Sequence, residues 1–211
     1  STQSRSSAAS DVYKRQGNVY NTAVGHAAGN NVTTGTQNTL IGGLSGDALT
    51  VGINNTALGT SSLSSDTKGS FSVAIGRDAL GSQNFTSATD AHNVAVGAQA
   101  GAAVTTGVNN TVVGALALDA NTTADHLTAV GFNALTTFNR TDGASAKTTA
   151  VGSGAFQSLT TGTQNTAVGM EAGSSQQAAA NCTLLGYRAG KDSTGEANTF
   201  VGALCGDATD D

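Results

Sequence analysis

The side chains that could carry out chemistry are few in this sequence, and they do not form a cluster. The three histidines, His26, His92 and His126, occupy different positions of the repeated unit, so they share no metal-ligand spacing. Only two glutamates occur, and no Gly-x-Ser-x-Gly elbow or Gly-Gly-x-Gly-x-Asp calcium pattern is present. The sequence therefore predicts a protein that is not an enzyme, with no catalytic residues, no metal site and no cofactor.

The two cysteines give no support for a disulfide. Cys182 and Cys205 lie in different columns of the repeat. A disulfide requires two Cα atoms within about 7 Å of one another, so we expect both thiols to be free. Each cysteine is predicted to be a small buried group.

Composition excludes two classes of partner and limits the core. The net charge is −5 and the nine Lys and Arg residues are scattered, so no nucleic-acid surface is expected. No run of about 20 apolar residues occurs, so no membrane insertion is predicted for this segment. Aromatic residues make up 4% of the chain, too few to fill a wide interior at native density. Because charged residues are only 11%, a thin core closed by small side chains is favoured over disorder.

The elements that would position any site come from an internal repeat, marked by a glycine that follows a short apolar pair. These anchor glycines are 17 residues apart in most laps, 21 apart in two and 16 apart in the last. A longer unit of 55 residues relates Gly42, Gly97 and Gly152. The anchor glycines are Gly25, Gly42, Gly59, Gly76, Gly97, Gly114, Gly131, Gly152, Gly169, Gly186 and Gly202.

The residues before each anchor glycine form columns of constant type. Immediately before it stands the aliphatic column, which consists of Val24, Ile41, Leu58, Ile75, Val96, Val113, Val130, Val151, Val168, Leu185 and Val201. The inner column, two residues before, is mostly Ala. The Thr column, three before, is Thr in nine of eleven laps, with Val73 and Val94 as the exceptions, and the Asn column, four before, is mostly Asn. Alternation along a strand predicts that the Thr and aliphatic columns share one face and the other two columns share the opposite face.

The small column, three residues after each anchor glycine, contains nothing larger than Cys. We expect some part of the structure to pack tightly against this position in every lap.

A 17-residue period is too short for paired helices. It predicts an all-β fold, a parallel β-solenoid of about eleven laps, each with two short strands and two turns.

Laps spaced by about 4.8 Å would form a rod roughly 50 Å long. Ladders of Asn and Thr are expected to satisfy buried polar groups between laps, with the Thr column facing inward.

The predicted domain organisation is a non-repeat segment over 1–16 and the repeat domain over 17–211. The stretch AASDVYKRQ within 1–16 resembles a translated sequencing-library adaptor.

Two stretches carry a resemblance to a known family. SVAIGRDAL (72–80) and NVAVGAQAG (93–101) resemble the head repeat of YadA-type trimeric autotransporter adhesins, and the wider pattern is similar to phage tail-fibre-like repeats. The resemblance implies a left-handed parallel β-roll in which three copies pack around one axis, with the small column allowing their close approach. The laps here are longer than in that family, and Thr replaces the usual apolar residue.

Two insertions are the places where the sequence most favours ligand binding. Extra residues enter between Gly76 and Gly97 and between Gly131 and Gly152, and loops on a rigid scaffold often carry contacts. The candidate ligand-binding residues are Phe85, His92, Phe138 and Arg140. Exposed aromatic rings beside polar groups could stack on sugars, and the alternative is that these residues only cover the outside of the roll.

These features predict an extracellular structural or adhesive fibre segment, located at a cell surface or on a virion. Self-association as a homotrimer is expected, with a head-to-tail filament as the competing assembly, and a glycan or protein receptor is the expected external partner. Two other functions stay open, namely a subunit of a polymeric surface filament and an ice-binding β-solenoid. The ice-binding alternative rests on the Thr ladder, although the usual Thr-x-Thr array is lacking.

Overall fold

The computed structural model describes residues 20–207, which form a parallel β-solenoid of eleven laps. The boundary predicted at residue 17 and the segment 1–16 lie outside the described residues. The strands, numbered in chain order, are β1 Thr22–Val24, β2 Thr39–Ile41, β3 Thr56–Leu58, β4 Gly69–Ser70, β5 Val73–Ile75, β6 Thr89–Asp90, β7 Val94–Val96, β8 Thr111–Val113, β9 Thr128–Val130, β10 Thr149–Val151, β11 Thr166–Val168, β12 Thr183–Leu185 and β13 Thr199–Val201.

One long sheet runs the length of the rod. Eleven strands pair in parallel in the order β1-β2-β3-β5-β7-β8-β9-β10-β11-β12-β13, and each contributes three residues. The register places Val24 opposite Ile41 and Ile41 opposite Leu58, so the aliphatic column is stacked as the period predicts. The prediction of a parallel β-solenoid with one lap per anchor glycine is confirmed.

The prediction of two strands per lap is wrong for most of the described chain. A second strand forms only at β4 and β6, which pair with each other beside the first insertion. In the other laps the opposite side consists of turns, whose backbone groups still bond to the next lap, as in Gly29 N–H to the carbonyl of Ser45 at 2.9 Å. Turn residues with positive φ, such as Leu63 and Leu80, curve this side too strongly for a regular ladder.

The anchor glycines are required by close contact between successive laps. Gly42 has φ +134°, and a Cβ on it would lie 2.4 Å from the carbonyl oxygen of Gly59. The next residue, Gly43, has open space at its Cβ position. Only the anchor position of this glycine pair therefore demands glycine, which explains why the column tolerates no other residue.

The core is thin and lies between the sheet and the turn side. The inner column is fully buried in laps such as those of Ala57, Ala74 and Ala129, and Leu63 and Phe156 fill the space opposite. Where the turn side has Gly instead, larger residues enter from the sheet. A Cβ on Gly46 would lie 2.7 Å from the side chain of Leu40. A large side chain on one side of the core is therefore matched by a small residue on the other side, and the narrow interior stays filled.

Where the Asn column carries Asn, the side chain connects one lap to the next with two hydrogen bonds. Asn38 donates from Nδ2 to the carbonyl of Gly52 at 2.9 Å, and its Oδ1 accepts from the backbone N–H of Asn55 at 2.9 Å. Asn55 repeats both contacts one lap further on, with Gly69 and Ser72. The predicted Asn ladder is confirmed, and it satisfies polar groups that the thin core would otherwise leave unpaired.

Candidate functional site

The sheet has one face toward solvent, and two of the columns lie on it. Leu58 and Val113 of the aliphatic column are 44% and 37% exposed, whereas their neighbours Ala57 and Val112 are fully buried. The Thr column is half-buried or exposed in every lap. We call the surface formed by these two columns the Thr/aliphatic face. The alternation predicted along each strand is confirmed.

The direction predicted for the Thr column is wrong, because these side chains face outward. Among the described residues, none of the nine threonines of the Thr column donates or accepts a side-chain hydrogen bond within the protein, Thr39 and Thr111 included. The threonines that do bond the next lap lie in the turns, as Thr50 does to the carbonyl of Thr67 at 2.8 Å. The interior is too narrow for a second polar ladder beside Asn, so the strand hydroxyl groups remain free to meet water or a partner.

Two further columns border the Thr/aliphatic face and point outward. The border on the Thr side, five residues before each anchor glycine, consists of Tyr20, Gln37, Asn54, Phe71, His92, Asn109, His126, Lys147, Gln164, Asn181 and Ala197. The border on the aliphatic side, one residue after the glycine, consists of His26, Gly43, Thr60, Arg77, Ala98, Ala115, Phe132, Ser153, Met170, Tyr187 and Ala203.

The Thr/aliphatic face with its two borders is almost free of charge. Lys147 and Arg77 are the only Lys or Arg in these four columns, and no acidic residue occurs in them. Arg77 forms an ion pair with Asp78 at 2.6 Å. The described acidic residues therefore all lie on other surfaces of the rod, and only one basic side chain on this surface is without an ion-pair partner in the described chain.

The first insertion does not present Phe85 to solvent. This ring is 5% exposed, and the loop that carries it is held by Asp66, which is fully buried. Asp66 accepts hydrogen bonds from the side chain of Gln83 at 2.6 Å and from the backbone N–H groups of Gly69 at 2.9 Å and Phe85 at 3.3 Å. The prediction of an exposed aromatic at Phe85 is wrong, because the ring is buried against β4, where a Cβ on Gly69 would lie 2.9 Å from it.

His92 is the one candidate of the first insertion that is exposed. Its ring stacks on that of Phe71 from the preceding lap, with centroids 5.1 Å apart and planes inclined by 22°. Phe71 was not a candidate in the sequence, although it stands in the same border column as His92. Reading that column for aromatic residues would have found it.

The second insertion buries its aromatic residue as well. Phe138 is fully buried, so it is not available to stack on a sugar. Arg140 is paired with Asp142, and their hydrogen bond raises the pKa of the guanidinium and lowers the pKa of the carboxyl. Both groups line an open depression of about 310 Å³ together with Asn139, Thr141 and Thr161. The depression holds a neutralised ion pair and no aromatic ring.

The small column also differs from its expected role. Its members are buried inside the roll, as in Ala79, Ala100 and Ala117, so they pack against the protein's own sheet. The expectation that this column lets neighbouring copies approach closely is wrong. Both cysteines are free, as predicted, but only Cys182 is buried, since Cys205 lies in the exposed last lap.

Within residues 20–207 no group of three or more His, Cys, Asp and Glu side chains is placed to hold a metal ion. The same part of the chain contains no helix with the length and apolar character needed to cross a bilayer. Comparisons with protein-family models, curated proteins and solved structures found no match. The Thr/aliphatic face is therefore the feature on which a functional proposal depends.

Proposed function

We propose that this chain is a segment of an extracellular structural or adhesive fibre, such as a bacterial adhesin head or a phage tail fibre, and that several copies assemble through the Thr/aliphatic face. The observation that supports the proposal is this face itself. It is long, regular and nearly uncharged, and it exposes aliphatic side chains in lap after lap. Contiguous apolar surface of this extent is typical of an interaction site.

The size of the face fits a stable assembly. Four outward columns span about 20 Å across the sheet and eleven laps span about 50 Å along the rod, which gives roughly 1,000 Å² per copy. Specific complexes bury about 800 Å² per partner. The composition also fits, since amide and small side chains make up about half of the two border columns, in the manner of an interface with a partly polar rim.

The proposed assembly is a homotrimer, in which rotational closure leaves no copy with a free Thr/aliphatic face. Three parallel rods would hold the two insertion loops of each copy at fixed heights. Weak contacts of these loops with a glycan or protein receptor would then add as avidity, by a factor on the order of 10² to 10⁴.

Native mass spectrometry of the purified chain tests this proposal. We expect trimers, and we expect Val113→Asp to give monomers, because a carboxylate buried in this face would be unpaired. The matched control is Thr60→Asp, a border position at the edge of the contact. Wild-type protein that stays monomeric at about 100 µM would contradict the proposal, and particles of open-ended length would favour the polymeric filament instead.

A second candidate is ice binding, which the outward direction of the Thr column favours. Free hydroxyl and methyl groups repeat at the lap spacing of about 4.8 Å over a nearly uncharged surface. Thermal-hysteresis measurement separates the two functions, because an assembled face is hidden from ice. Hysteresis in wild-type protein that is lost in Thr111→Lys would support ice binding, and its absence from monomeric protein would remove this candidate.

A further inference from the structure

Two adjacent laps differ from the rest of the Thr/aliphatic face. The Thr column is interrupted only by Val73 and Val94, which lie opposite each other in β5 and β7. In the same two laps the border column carries Phe71 and His92, whose rings are stacked. With the aliphatic residues Ile75 and Val96, they complete a surface of six side chains, which we call the central patch.

The fold does not account for Phe71. Its side chain is 36% exposed, and its backbone adopts φ +60°, a conformation that disfavours bulky residues. Every residue of this border column adopts positive φ, and Asn54 and Asn109, one lap before and two laps after, do so at lower cost than a phenylalanine. A phenylalanine here adds no core packing, so its contribution lies on the outer surface.

The replacement of Thr by Val favours contact with a partner surface that excludes water from this patch. Burying a Thr hydroxyl without a partner costs about 1–3 kcal/mol. Val73 and Val94 avoid that cost, whereas the other nine laps each carry a Thr. The nearest charge in the same columns, Arg77, is compensated by Asp78 at 2.6 Å. The central patch is thus the part of the face where a partner surface displaces water at least cost.

We propose that the central patch is the energetic centre of the contact between copies of this chain. The inference rests on the proposed function and assigns the partner surface to a second copy of the same patch region. The patch occupies the fourth and fifth of eleven laps, near the middle of the face. Residues that dominate binding are commonly aromatic and lie near the middle of an interface, surrounded by less important contacts.

The test compares association constants by sedimentation equilibrium. The variant Phe71→Asn restores the residue type of the neighbouring laps, and Val73→Thr with Val94→Thr restores the column. Because these replacements suit the local backbone, the folded monomer should retain its thermal stability. We expect the triple variant to associate at least tenfold more weakly than wild type. The control, Gln37→Asn, changes the same border column two laps away and should leave association unchanged.

The outcomes separate this inference from the proposed function. Wild-type chains that do not associate would overturn both, and the failure would belong to the proposed function. Wild-type chains that assemble, with a triple variant that is folded by circular dichroism and assembles equally well, would overturn the central patch alone. Weakening of the triple variant that leaves the Gln37→Asn control unaffected would support it.

Discussion

At the residue scale, the Asn column shows what one side chain can do when it is repeated. Each Asn before the last lap provides a donor and an acceptor to the next lap, and Cys182 is one of the places where the column is interrupted. The thiol lies 3.5 Å from the carbonyl of Gly195, the group that an Asn would bond. In the same region Oε1 of Gln176 is buried without a partner, whereas Gln83, at the equivalent position, accepts from Asn93 at 2.9 Å.

These contacts predict that Cys182→Asn stabilises the protein. The new amide would donate to Gln176 or to Gly195, and we expect a gain of about 1 kcal/mol in the free energy of unfolding. Urea unfolding followed by circular dichroism measures it. Cys182→Ala is the control, since it removes the thiol without adding a donor. An Asn variant no more stable than the Ala variant would show that the orphaned Gln176 oxygen has little energetic weight.

Residue types predicted some features of the site and missed others. Strand alternation correctly predicted that Thr111 and Val113 share one face, but not that this face points outward, because Thr and Ala are both small enough for a narrow interior. Phe138 was predicted to be exposed because it lies in the lap that carries the second insertion. It stands seven residues after Gly131, in a column that also contains Leu49 and Leu159, and all three are buried. That column was the missed signal.

At the element scale, the first insertion depends on a single buried carboxylate. Asp66 accepts hydrogen bonds from Gly69, the first residue of β4, and from Phe85 in the loop before β6, so it couples the only second-side strand pair in the described chain to the core. The polar cluster continues through Gln83 to Ser72, with Nε2 and Oγ 3.1 Å apart. Four donors converge on Asp66, so the loop conformation is fixed by hydrogen bonds more than by apolar packing.

Removing this carboxylate is predicted to release the loop. Asp66→Ala leaves the N–H groups of Gly69 and Phe85 unpaired and should lower the free energy of unfolding by about 3 kcal/mol. Limited proteolysis should then cut within 84–91. Asp66→Asn should have an intermediate effect, because Asn121 occupies the same column and accepts from Ala124 N–H at 3.2 Å. Equal protease resistance of the Ala variant and wild type would contradict this role.

The 17-residue period correctly predicted where the strands of the long sheet lie, but it did not predict the number of strands in each lap. Anchor glycines fixed where β1 to β3 begin and end, because each strand stops where positive φ and close contact require Gly. The second strand was not formed in most laps, since residues such as Leu118 adopt positive φ in the turns. The residue type did not predict these turns, because leucine rarely adopts positive φ. It does so here because its side chain is buried in the interior.

At the scale of the whole molecule, the rod behaves as a one-dimensional stack, in which each lap contacts mainly its neighbours. The 55-residue unit places Gly97 and Gly152 in equivalent environments. Stability in such a stack is approximately a sum of lap terms and neighbour terms. Length and interface area should therefore change in steps of whole laps.

Deletion of residues 98–152 tests this directly, since it removes three laps and joins equivalent positions. We expect a folded rod shorter by about 14 Å in small-angle X-ray scattering, because all columns stay in phase.

The proposed trimer should weaken, because its contact area falls with the number of laps while the central patch is kept. The control deletes 98–144, which leaves seven residues between Gly97 and Gly152, too few for a lap. That variant should lose strand signal in circular dichroism and unfold at lower temperature. If both deletions shortened the rod equally and left the same stability, the laps would not be the units that hold the molecule together.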